Sequence, residues 1–74
     1  MEQALDLRGL ACPLPILRTK KAIDQLAAGD VLVVTATDPG AVADFKAWTD
    51  RTGHILLSSE AHGGEFHFRI QKRP

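Results

Sequence analysis

Two prolines two positions apart, Pro13 and Pro15, follow the only cysteine of the chain in Cys12-Pro13-Leu14-Pro15. No other feature restricts the backbone as much. Each proline lacks an N–H and fixes φ, so the pair cannot lie inside a helix. It does fit a first helical turn, where N–H groups have no intrahelical partner. Read this way, a helix begins at about Pro13 and Cys12 is its N-cap. A thiolate is favoured there by the positive end of the helix dipole. Cysteine is not a preferred capping residue, so the position points to a sulfur kept for its chemistry.

The elements on either side follow from periodicity. Ala4-Leu5-Asp6-Leu7 reads as a short strand that Gly9 punctuates. The helix from Pro13 runs to about Ala28, with Ile16, Ile23, Leu26 and Ala27 as its buried stripe and Thr19 and Lys20 filling the turn between. Gly29 follows as the C′ residue, which leaves Lys20 and Lys21 too early to act as C-terminal charges. Val31 to Thr37 is apolar and β-branched, a central strand. Asp38-Pro39 reads as N-cap and first helical residue of a second helix. Val42, Phe45, Trp48, Thr49 and Thr52 carry the helical spacing, and Gly53 ends it. His54 to Glu60 is a third strand with Ile55 and Leu57 inward, and Ala61 to Gly64 is a turn. In the last strand Phe66, Phe68 and Ile70 alternate with Glu65, His67, Arg69 and Gln71, which leaves one face wet.

The order is βαβαββ. Right-handed crossovers make strands 1 and 2 parallel, and likewise 2 and 3. The closing hairpin makes strand 4 antiparallel to strand 3. Slotting strand 4 between 2 and 3 lets both helices lie on one face. The expected fold is an α/β (α+β) two-layer sandwich with a mixed four-stranded sheet in the order 1-2-4-3. Phe45, Trp48 and Ile23 are expected between helices and sheet.

At 74 residues this is expected to be one domain, near the lower size limit for a core without staples. The balance of nine basic and nine acidic residues, net charge zero, argues against nucleic acid as a direct partner. Arg18, Lys20 and Lys21 cluster, as do Arg69, Lys72 and Arg73; the plain reading of both is solvated surface. No apolar run approaches the roughly 20 residues of a membrane span. Met1-Glu2-Gln3 lacks the basic start and apolar stretch of a signal peptide. A lone thiol without an export signal is expected in the cytoplasm, and no metal-ligand spacing occurs.

The chemistry of Cys12 is bounded in the same way. A helix dipole contributes only about 0.3–1 kcal/mol at an exposed site, so the expected thiol is mildly activated. Arg8 either reaches the sulfur and adds to this or pairs with Asp6. A hydrolase needs a base oriented on its nucleophile, and His54, His62 and His67 all lie in the second half. No second cysteine is present to resolve a disulfide. An exposed lone thiol without a base is suited to carry a group. A structural cysteine in an interaction or regulatory domain, with a ribosome- or RNA-associated variant, and a thiol-redox sensor are the competing readings.

The run from Leu5 to Pro15, Leu-Asp-Leu-Arg-Gly-Leu-Ala-Cys-Pro-Leu-Pro, resembles the signature of the TusA-like (SirA) sulfur carriers. Gly29-Asp30, Thr37-Asp38-Pro39, Trp48, Gly53-His54 and Ile70-x-Lys72 extend the resemblance over nearly the whole chain. The resemblance implies the βαβαββ fold, similar to the C-terminal domain of bacterial translation initiation factor 3. It implies that Cys12 carries sulfur as a transient persulfide, with no other cofactor. The donor would be a cysteine desulfurase or a rhodanese-type sulfurtransferase. The acceptor would be a protein of tRNA thiolation, molybdenum-cofactor metabolism or sulfur oxidation. Pro13 and Pro15 match the motif's structural positions; Asp6, Arg8, Gly9 and Asp38 match the pattern with structural or docking roles. Leu10, Leu14 and Ile16, with Arg18 and Lys21, are the expected docking residues around the helix N-terminus.

Overall fold

The computed structural model describes residues 1–74. The elements are β1 (Glu2–Leu7), α1 (Leu14–Asp24), β2 (Val31–Ala36), α2 (Ala41–Thr52), β3 (Ile55–His62) and β4 (Glu65–Gln71). The sheet order is β1-β2-β4-β3, as the crossover argument predicts. β1 and β2 are parallel, with Leu7 opposite Ala36 at their C-terminal ends. β4 runs antiparallel to both of its neighbours. Gly63 and Gly64, both at positive φ (56° and 83°), close the β3–β4 hairpin. This is the backbone a two-residue type I′ turn needs to match the twist of its strands.

One face of the sheet carries the core. Leu7, Leu32, Val34, Ala36, Phe68 and Ile70 meet Ile23 of α1 and Ala41, Phe45 and Trp48 of α2 there. Phe45 stacks on Phe68 with ring centroids 4.6 Å apart and meets the edge of Trp48. Burying a side chain of this size contributes about 1.5–3 kcal/mol, so these contacts decide where the helices sit. The alternation along β2 leaves Val31, Val33 and Thr35 half-buried on the opposite, open face.

Both helices are shorter than periodicity suggests. α1 ends at Asp24, and Gln25 and Leu26 donate to Ala22 and Ile23 in tighter three-residue turns. The remaining carbonyls find a distant partner: Lys72 Nζ donates to Leu26 O at 2.6 Å and to Asp24 O at 3.4 Å. Asp30 accepts the Ala27 N–H, which holds the following loop away from helical geometry. Gly29 is therefore a loop residue, and Lys21 lies in the last helical turn after all. Pro15, Thr19 and Ile23 are buried, while Lys20 and Ala27 face water.

α2 starts at Ala41 with Gly40 at the N-cap and no side-chain cap. Asp38 is thus not the cap. Its carbonyl accepts the Ala41 N–H at 3.0 Å, making a turn that includes Pro39 before the helix begins. Ala41 replaces the exposed Val42 on the buried stripe. Gly53 ends the helix in the left-handed conformation, as read from sequence.

Ile55 and Leu57 are 44% and 47% exposed rather than inward. Cross-strand partners share a face, and it is Leu56 that lies opposite the buried Ile70. A register shift between Leu56 and Ser58 then leaves Leu57 without a partner on β4.

Candidate functional site

The loop from Arg8 to Pro13 joins β1 to α1 and is held at its base. Gly9, at φ 82°, makes the turn with Leu10 N–H donating to Leu7 O. Only glycine adopts that φ without steric cost. Gly9 N–H donates to Thr37 Oγ1 at 2.8 Å, tying this loop to the one that leaves β2. Because β1 and β2 are parallel, both loops emerge at the same edge of the sheet. The Cys12 region and the start of α2 are therefore neighbours.

Cys12 is exposed, as expected, but it is not the N-cap. Pro13 holds that position, and the Cys12-Pro13 peptide is cis. Pro15 is the second helical residue and is buried. Leu14 N–H donates to Ala11 O at 3.0 Å. Cys12 thus sits one residue outside the reach of a cap, with no helix N–H aimed at its sulfur.

The electrostatics reverse the expected mild activation. The main influence on the thiol is the Asp44 carboxylate, in the first turn of α2. Asp44 first, then desolvation and the charge of Asp38, push the Cys12 thiol above its ordinary pKa. A dipole term of about 0.3–1 kcal/mol falls off within the first turn and loses to two nearby carboxylates. Arg8 does not compensate. Its Nε and Nη2 form a fork on Asp6, each at 2.9 Å, and Nη1 lies 3.6 Å from Glu65. Held by this pair and by the Arg8 N–H, the Asp6 carboxyl drops to about 2. Of the two roles left open for Arg8, the structure shows the Asp6 pair.

A family model described as the sulfurtransferase TusA matches residues 3–72, nearly the whole chain with the Cys12 loop included. The chain belongs to the TusA family. The sulfur carrier protein TusA of Allochromatium vinosum is 54% identical over 71 residues, covering 96% of this chain and 93% of that one. A relative from Neisseria meningitidis serogroup A with a provisional sulfur-carrier name is 51% identical, covering 96% of both chains. The crystal structure of a SirA-like protein from Desulfitobacterium hafniense superposes with a TM-score of 0.82 at 25% identity over the whole of both chains.

In this TusA-family chain, Leu14, Leu17, Arg18 and Lys21 follow i, i+3, i+4, i+7 spacing and share a face of α1. All four are exposed, and Arg18 and Lys21 have no acidic partner within ion-pair distance. Leu10 and Ile16 are half-buried against the core and offer less surface than expected. Sequence reasoning missed Leu17 and Asp44. Leu17 follows from the α1 period once the helix start is known. Asp44 carried only a weak signal, an acid in a helical first turn.

A shallow recess of about 340 Å³ lies elsewhere, between Asp6, Arg8, Thr35, Glu65 and His67. Cys12 does not line it, and its polar groups are already paired with one another.

Proposed function

We propose that this protein is a sulfur carrier in which Cys12 holds sulfane sulfur as a persulfide between a donor and an acceptor protein. The observation that carries the reading is the exposed lone thiol on a loop pinned at its base, with no histidine or second cysteine beside it. Such a thiol has neither the oriented base of a hydrolase nor the resolving partner of a redox cycle. The neighbouring carboxylates favour the thiol form. Accepting an already activated sulfane sulfur from a partner, whose cysteine is the leaving group, fits this chemistry better than autonomous catalysis, so the protein acts as a cosubstrate.

In the loading step, Cys12 sulfur attacks the sulfane sulfur of a donor cysteine persulfide. The new S–S bond forms on Cys12 as the donor's S–S bond breaks, its electron pair leaving with the donor cysteine. The proton lost by Cys12 ends on that cysteine. Persulfide and thiol change places with no net oxidation. Unloading is the same exchange with an acceptor. Gly9 and Pro13 shape the loop, Pro15 seats the first turn of α1 in the core, and the Asp6–Arg8 pair supports the loop where it leaves β1. The donor class is a cysteine desulfurase or a rhodanese-type sulfurtransferase, in the cytoplasm. The acceptor belongs to tRNA thiolation, molybdenum-cofactor metabolism or sulfur oxidation.

Intact-mass spectrometry after incubation with a cysteine desulfurase, a rhodanese-type sulfurtransferase or an inorganic polysulfide tests this. A gain of one sulfur atom, localised to Cys12 and passed to an acceptor, is expected. No adduct from any source would favour an interaction domain, and a disulfide dimer alone would favour a redox sensor.

A further inference from the structure

The loop that presents Cys12 is braced from β4, across the width of β2. β4 runs antiparallel to β2 with Phe66 opposite Ala36, and Ala36 in turn lies opposite Leu7 of β1. The β3–β4 hairpin therefore opens at the same edge of the sheet as the Cys12 loop, and Glu65 is the first residue of β4 after it. On the open face, Asp6, Thr35 and His67 form one row across β1, β2 and β4. Arg8 spans the end of this row. Its backbone N–H donates to Asp6 Oδ1 at 3.0 Å, its Nε and Nη2 fork on the same carboxylate, and its Nη1 lies 3.6 Å from Glu65 Oε2. The other Glu65 oxygen is 3.4 Å from His67 Nε2, and His67 Nδ1 is 3.4 Å from Thr35 Oγ1. A neutral ring with its hydrogen on Nε2 satisfies both contacts, with Thr35 donating to Nδ1. The chain of contacts thus runs from β1 through Arg8 to β4 and back to β2. An isolated exposed ion pair holds little in place, whereas a forked arginine inside a network holds a geometry.

We propose that Glu65 is a positioning residue for sulfur transfer: through Arg8 it anchors the Cys12 loop to β4 and sets the angle at which the sulfur meets a docked donor. The inference rests on the reading of Cys12 as the sulfur-bearing residue. Arg8 is the first residue of that loop, and Gly9 makes the turn that follows. The Gly9 N–H on Thr37 Oγ1 fixes the loop on the side of β2 and α2. The Arg8–Glu65 pair fixes it from the open face. Two anchors in different directions define an orientation, which one does not. Neither Arg8 nor Glu65 is among the charges that act on the thiol, so the brace governs where the sulfur points rather than how readily it ionises. Transfer between two proteins depends on that aim, since a misplacement of about 1 Å costs roughly 100-fold in rate. A small reagent reaches an exposed sulfur without needing it.

The test uses the intact chain as the varied substrate of a cysteine desulfurase supplied with cysteine, or of a rhodanese-type sulfurtransferase if the desulfurase does not load the unaltered protein. Glu65→Gln should lower kcat for loading several-fold while KM for the carrier hardly moves. Alkylation by iodoacetamide and loading by inorganic polysulfide need no docking and should keep their rates. Arg8→Lys cannot fork on Asp6 and reach Glu65 together. It should lower kcat at least as much, and adding Glu65→Gln to it should cost nothing further. Urea unfolding checks that each variant is folded; if Glu65→Gln is not, Glu65→Asp, which keeps the charge but shortens the reach, takes its place with the same expectation. A raised KM at unchanged kcat would make Glu65 a docking contact. An unchanged kcat would make the pair ordinary surface, and a parallel loss of alkylation would place its effect on the thiol itself. Each of these overturns the inference, as do independent effects of the two substitutions. Normal loading of the unaltered protein with kcat unmoved by Glu65→Gln sinks this role alone, whereas absent loading from every source sinks the carrier reading.

Discussion

The backbone N–H of Gly9 donates to the hydroxyl of Thr37 across 2.8 Å, and this bond joins the two loops that build the site. One loop carries Cys12, the other Asp38. A single hydrogen bond of this kind contributes about 0.5–1.5 kcal/mol, and here it ties together two loops that are 28 residues apart in the chain.

Thr37→Val should therefore lower stability by about 0.5–1.5 kcal/mol and broaden the alkylation profile of Cys12, while Thr37→Ser should do neither. Urea unfolding and iodoacetamide kinetics read the two effects separately. Full stability with Val at this position would mean that the tether is not holding the loops.

Cys12→Ala should remove persulfide loading and change stability by no more than about 0.5 kcal/mol, as expected for an exposed side chain. A loss of roughly 2 kcal/mol or more, the size of a core deletion, would instead mark Cys12 as a packing residue.

Charge reversal at Arg18 or Lys21 should slow loading from a donor enzyme by weakening electrostatic steering. Its salt dependence should fall as well. Alkylation of Cys12 by a neutral reagent should stay at its normal rate, because neither side chain acts on the sulfur. A parallel drop in both rates would mean that these charges tune the thiol.

Thr19 is fully buried in α1, and its hydroxyl has no hydrogen-bond partner. An unsatisfied buried polar group costs about 1–3 kcal/mol. Thr19→Val keeps the shape and removes the hydroxyl, so stability should rise by about 1 kcal/mol, a thermal midpoint increase of roughly 4–8 °C for a domain of this size. A lower midpoint would show that the hydroxyl is satisfied in solution.

His54 stacks on Trp48 at 5.2 Å, and its Nδ1 accepts the Arg73 N–H at 3.1 Å. Burial, then the nearby Arg73 charge, hold its pKa below the ordinary 6.5. The folded state thus binds this proton less readily than the unfolded chain. The contribution is fully present above 6.5 and is lost as pH falls through the lowered folded value. His54→Gln should flatten the stability profile between neutral and mildly acidic pH, measured by urea midpoints. An unchanged slope would assign that pH dependence elsewhere.

Periodicity and punctuation carried most of the architecture. The alternation of Leu32, Val34 and Ala36, the spacing of Phe45, Trp48 and Thr49, and Gly53 fixed which segments are strands and helices. The errors fell where a distant group intervened. α1 stops early because Lys72 takes its last carbonyls and Asp30 holds the loop. Ile55 and Leu57 face outward because β4 pairs with Leu56 in the other register.

The site divides along the same line. The sequence by itself determined that a lone, exposed cysteine precedes a helix behind two prolines, since φ restriction and missing donors are local properties. Only the tertiary structure decided the state of its sulfur. Parallel pairing of β1 with β2 brings the loops after both strands to one edge, so the charges of Asp38 and Asp44 act on a thiol far away in the chain. Electrostatic interaction depends on separation in space and on burial, and neither is written in the spacing of residues along the sequence.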